Sequence, residues 1–123
     1  MGLSLDENRA TYQIKGYKPG LIQVNENTYS KSLIIAPYQL IEDWPPQSIE
    51  ALTPTHLKQI LLLSPAILLL GTGEHLAFPP VEIYGDLLNE GIGVEIMDTS
   101  AACRTYNALT AEERNVVAAL IIR

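Results

Sequence analysis

Ala66-Ile67-Leu68-Leu69-Leu70-Gly71-Thr72-Gly73 is where the chain changes its period. The five residues 66–70 form a continuous apolar run of strand length, and a Gly-Thr-Gly turn follows at once. A strand without a polar face is buried on both sides, as in a parallel sheet. Downstream, Pro79-Pro80 opens a helix with Glu82 in its first turn, where the helix dipole favours a negative charge. Ile83, Leu87 and Leu88 are expected to supply its core face, and Gly91 fits the stop position. Gly93 and Asp98 bound a second short strand, Val94-Glu95-Ile96-Met97. A third helix is expected from Asp98 or Thr99 to about Leu109, and Val116 to Ile122 is seven aliphatic residues in a row. Strand–helix–strand–helix–strand spacing of this kind is the pattern of parallel βαβ units.

Upstream the signals are antiparallel. Tyr12 and Ile14 start an alternating run that stops at Lys18-Pro19-Gly20, a tight-turn sequence. Ile22 and Val24 alternate with polar neighbours, Asn25-Glu26-Asn27 turns the chain, and one further strand is expected from Tyr29 to Ala36, ended by Pro37. From Tyr38 to Pro54 the chain reads as loop, with Trp44 plugging the core edge beside Pro45-Pro46 and one helical turn at Ser48 to Leu52. Thr53-Pro54 starts a helix whose stripe is Leu57, Ile60 and Leu61 and which Ser64-Pro65 closes. The expected fold class is α/β: a single compact domain with a mixed β-sheet flanked by helices, plus an antiparallel N-terminal hairpin or small second sheet. Residues 1–9 read as a tail and 10–123 as the domain.

Composition bounds the rest. At 123 residues and 47% hydrophobic, the chain can bury a core without metal or disulfide staples. Eight Lys+Arg against fourteen Asp+Glu give a net charge of −6, which supplies no attraction for nucleic acid or an anionic membrane surface. The single cysteine excludes an internal disulfide and suits a reducing compartment. No signal peptide, transit peptide or spanning segment is recognised, so a cytoplasmic location is expected.

In an open parallel sheet, ligands bind where the loops leave the carboxyl ends of the strands. Two such segments stand out, Gly71 to His75 and Asp98 to Asn107. They are expected to share one rim and to form a crevice from Gly71, Thr72, Gly73, Asp98, Thr99, Cys103, Arg104, Tyr106 and Asn107. Gly71 and Gly73 begin a dinucleotide fingerprint, but its third glycine position is Leu76. They therefore read either as a sharp turn or as an anion cradle. Cys103 in the early turns of a helix, with Arg104 beside it and His75 or Asp98 as helper, could be a nucleophile. The other readings are a redox-sensitive thiol and a small apolar filler. Asp98 and Thr99 could simply cap the helix. One Cys and two His, His56 and His75, lack the spacing of a zinc site, so neither a metal nor a cofactor is expected.

Leu68-Leu-Leu-Gly-Thr-Gly73, the stretch from Gly91 through Asp98-Thr-Ser-Ala-Ala-Cys-Arg-Thr-Tyr-Asn107 to Leu109, Arg114 and the final aliphatic run also carry a resemblance. They resemble a widespread family of small domains of unknown function, which includes the mitochondrial complex I assembly factor 3 and an adipogenesis-associated single-domain protein. The resemblance is close from about residue 66 onward and looser over 10–65. It implies a compact α/β domain with a mixed sheet and extra antiparallel strands. It brings no catalytic residues, and its mitochondrial branch implies a protein–protein role in assembling a membrane complex.

The leading expectation is thus a non-enzymatic protein-binding or assembly domain using the crevice to hold a partner segment or small ligand. The alternatives are a small enzyme with Cys103 as nucleophile and a small-ligand or anion-binding module. A homo-oligomer is also considered, because an aliphatic final strand would leave an unprotected sheet edge.

Overall fold

The computed structural model describes residues 8–122. Two sheets organise it. Strands β1 (Ile14–Lys18), β2 (Leu21–Val24) and β3 (Asn27–Tyr29) form a three-stranded antiparallel sheet in that order. The larger sheet contains β4 (Leu33–Ala36), β5 (Gln39–Ile41), β6 (Ile67–Gly71), β7 (Gly93–Met97) and β8 (Val116–Leu120). Its order is β5-β4-β8-β6-β7, with β6 parallel to both β7 and β8, and β4 antiparallel to β8 and β5. The helices are α1 (Lys58–Leu63), α2 (Gly85–Asn89) and α3 (Thr99–Ala111), with 3-10 turns at Ile49–Ala51, Pro54–Leu57 and Val81–Ile83. The expected fold class holds, mixed sheet and second small sheet included.

The aliphatic runs explain the layering, because a strand sends alternate side chains to opposite faces. Leu68, Leu70, Val117, Ala119 and Ile121 face one core with Trp44, Leu57, Ile60 and Leu87. Leu69, Val116, Ala118, Leu120 and Ile122 face the other, with Ala102, Cys103 and Tyr106 of α3 and Ile14, Ile22 and Val24 of the small sheet. Helix α3 is therefore the filling between two sheets. The crossovers step one way from β6 to β7 and back past β6 to β8. Right-handed connections stepping in opposite directions put their helices on opposite faces, as α2 and α3 are here.

Several local expectations are corrected. The run from Tyr29 to Ala36 is two strands in different sheets, separated at Ser30-Lys31-Ser32. Ser32 is buried there: its carbonyl accepts from Trp44 N–H at 2.9 Å and its Oγ accepts from Ile122 N–H at 3.0 Å. Pro37 does not end the sheet but turns the chain into β5, which lies in the stretch read as loop. Leu88, expected in the core, is 44% exposed, because α2 is short and only Leu87 reaches inward. The Val116–Ile122 run is not at an edge. β8 lies between β4 and β6, which removes the reason for expecting an oligomer.

Other readings hold. Trp44 is buried with its Nε1–H donating to His56 O at 2.9 Å. Ser64 ends α1 in the left-handed region at φ 47°. Most of the expected tail, residues 1–7, lies outside the described residues. Asn8 Nδ2 donates to Thr110 Oγ1 at 2.7 Å and so ties its segment to α3.

Candidate functional site

Because β6, β7 and β8 run parallel, the loops after β6 and β7 emerge on one rim of the sheet. Asp98 caps α3 through its Oδ1, which accepts from Ala101 N–H at 2.8 Å. The two loops then lock together. Gly73 N–H donates to Thr99 Oγ1 at 2.8 Å, Thr99 N–H donates to Gly73 O at 2.9 Å, and Thr99 Oγ1 donates to Ile121 O at 2.8 Å. Thr72 N–H goes to Met97 O, and Thr72 Oγ1 donates to His75 O at 2.7 Å. Thr99 is fully buried. A Cβ on Gly71 would meet Thr99 Oγ1 at 2.9 Å and Leu120 Cδ2 at 3.0 Å, so glycine is what lets the seam close.

This seam has two consequences. The space between the Gly71–Gly73 turn and Thr99 is filled by protein. The amides of Thr72 and Gly73, which an anion would need, are already donating within the fold.

The opening lies on the other side of α3. A groove of about 300 Å³ runs between β1 and α3, lined by Ile14, Lys15, Gly16 and Tyr17 on one side and Ser100, Cys103, Arg104 and Asn107 on the other. Arg104 is exposed and its Nη1 donates to Ser100 Oγ at 2.8 Å rather than pairing with Asp98. Asn107 spends its carboxamide on β1: Oδ1 accepts from Ile14 N–H at 3.1 Å and Nδ2 donates to Ile14 O at 2.6 Å. Tyr106 is buried, and its hydroxyl donates to Tyr12 O at 2.8 Å. The density of polar residues on α3 thus has a cause that sequence reading missed. Tyr106 and Asn107 hang the small sheet on the helix, and only tertiary structure reveals it.

Cys103 is 4% exposed, and burial pushes its thiol up to about 12 although Arg104 pulls the other way. Desolvation of the thiolate outweighs the expected help from the helix and the neighbouring cation. The thiol is neutral at physiological pH. His75 is exposed in the loop, Asp98 is engaged as a cap, and none of the three side chains is hydrogen-bonded to another among the described residues. Tyr17 is also pushed up, first by burial, with the carboxylates of Glu74 and Asp98 adding to the effect. Among the described residues, no three His, Cys, Asp or Glu side chains converge as a metal site would require.

Residues 14–121 match the family described as "Protein of unknown function (DUF498/DUF598)". The chain belongs to that family. It is 34% identical over 122 residues to the "13 kDa major membrane protein" of Francisella tularensis, covering 98% of this chain and 99% of that one. It is also 34% identical over 110 residues to the zebrafish (Danio rerio) NADH dehydrogenase (ubiquinone) 1 alpha subcomplex assembly factor 3. That match takes in 88% of this chain but 63% of the zebrafish protein. A crystal structure from Bordetella parapertussis superposes with a TM-score of 0.87 at 40% identity, over 93% of this chain and 98% of that one. The resemblance found in the sequence is thereby established. Among the described residues no helix is long and apolar enough to cross a membrane.

Proposed function

We propose that this chain is a non-enzymatic assembly factor that binds a protein partner. The observation carrying this reading is the 34% identity, across 88% of the chain, to a protein named for assembling NADH dehydrogenase. The neutral, buried Cys103 supports the non-enzymatic part. The lone thiol also supports work in a reducing compartment, the cytoplasm.

The partner face in this proposal is the groove between β1 and α3. Lys15 and Arg104 are exposed there, while Tyr106 and Asn107 behind them serve the fold. Charge reversal by Arg104→Glu and Lys15→Glu tests this by quantitative affinity pull-down. Partner recovery is expected to fall at least tenfold while thermal stability stays within 2 °C or so, as surface substitutions normally allow. Unchanged recovery from folded variants would sink the groove as the partner face.

A further inference from the structure

Building on the assembly-factor reading, we propose that segment 76–81 is a preformed docking ridge for a protein whose receiving groove is apolar and rimmed by basic side chains. Leu76 is 53% exposed, Phe78 69% and Val81 52%, whereas Ala77 is half-buried against the core and Pro79 is buried. The strict alternation from Leu76 to Pro80 is that of an extended backbone, one set of side chains anchored and the other turned to water. Phe78 is the only phenylalanine in the chain, and it is on the surface. Adjacent large apolar groups on a surface mark an interaction site more often than single ones do.

The segment is held before any partner arrives. Thr72 Oγ1 donates to His75 O and accepts from Ala77 N–H at 3.3 Å, and Thr99 N–H fixes Gly73 O. Pro79 and Pro80 restrict φ at the far end. Ordering entropy that a floppy loop would lose on binding is already spent in folding.

Charge selects the occupant. Between Lys58 and Arg104 the sequence has no Lys or Arg, but it has Glu74, Glu82, Asp86, Glu90, Glu95 and Asp98. Glu74 and Glu82, which flank the ridge in sequence, are exposed, and so is Asp86 in α2. A second copy of this acidic chain and an anionic bilayer would both be repelled, whereas a basic-rimmed groove on another protein is attracted.

The test places a photo-crosslinking benzoylphenylalanine at position 78 and, in a separate preparation, at position 104 of the full chain in its host. The captured protein is then purified and titrated by calorimetry. Against wild type, Phe78→Ser is expected to weaken binding at least tenfold, and Glu74→Gln with Glu82→Gln several-fold with a flatter salt dependence. Capture of only a second copy of this chain would overturn the proposal. So would capture of lipid, with Phe78-dependent flotation on phosphatidylglycerol vesicles. A captured protein that binds Phe78→Ser as well as wild type but loses affinity for Arg104→Glu also overturns the ridge, while leaving the assembly role intact. A chain that captures no protein from position 78 or from position 104 overturns both.

Discussion

Asn107 grips the backbone of Ile14 from the helix side, accepting from its N–H at 3.1 Å and donating to its C=O at 2.6 Å. A carboxamide offers the same donor and acceptor as a peptide group, so Asn107 acts as one residue of an absent neighbouring strand. Asn107→Ala leaves both groups of Ile14 to poorly placed water, and a loss of about 1 to 3 kcal/mol is expected in urea denaturation. Asn107→Asp keeps the acceptor but sets an oxygen against Ile14 O, so it should destabilise at neutral pH and recover as the carboxyl protonates.

Thr99 makes the corresponding join between the two rim loops. Thr99→Val keeps the shape but leaves Gly73 N–H and Ile121 O without their buried partner, at an expected total of roughly 2 to 6 kcal/mol. Thr99→Ser keeps both bonds and should be far milder. Gly71→Ala puts a methyl 2.9 Å from Thr99 Oγ1 and is expected to cost about 1 to 3 kcal/mol through overpacking.

Cys103 makes stability depend on alkaline pH. Its folded pKa, about 12, is above the ordinary thiol value of 9.0. The neutral form is therefore favoured by folding, and this contribution is intact below pH 9. It is lost as the unfolded thiol ionises between 9 and 12. Wild type should lose about 1 kcal/mol relative to Cys103→Ala on going from pH 8 to pH 10, measured by paired urea titrations. Disulfide-exchange reagents at pH 8 should label the native thiol at a rate set by opening of the fold.

Trp44, the single tryptophan, is 2% exposed and bonded to His56 O. Native emission should be blue-shifted and poorly quenched by acrylamide. Trp44→Phe removes the donor and leaves a void, at an expected cost of about 2 to 3 kcal/mol.

The half of the chain from Ile67 onward was legible because its signals are local. Apolar runs of strand length, an Asp98 cap and a Gly91 stop at φ 81° each act within a few residues. The split at Ser30-Lys31-Ser32 was not, because what bends the chain there is Ile122 and Trp44, distant in sequence. β5 was missed for the same reason: exposed Gln39 and half-buried Leu40 and Ile41 form a strand only because β4 presents an edge. At the candidate site, topology put both loops on one rim, as the βαβ spacing implied. Whether the rim was open depended on one hydroxyl, Thr99 Oγ1, bridging Gly73 and Ile121. Leu76 and Phe78 carried no periodic signal in the sequence, because the alternation that turns them outward begins only after the Thr72–His75 turn.

The middle strand of the large sheet is also the last of the described strands to be synthesised. Until residues 116–120 have left the ribosome, β4 can pair only with β5 and β6 only with β7, two fragments with no shared ladder. Nascent chains stalled before that point should expose Leu33 to Ala36 and Ile67 to Leu70 as bare, sticky edges and draw chaperones. Release of the final aliphatic segment would then act as the trigger that zips both fragments into one cooperative unit.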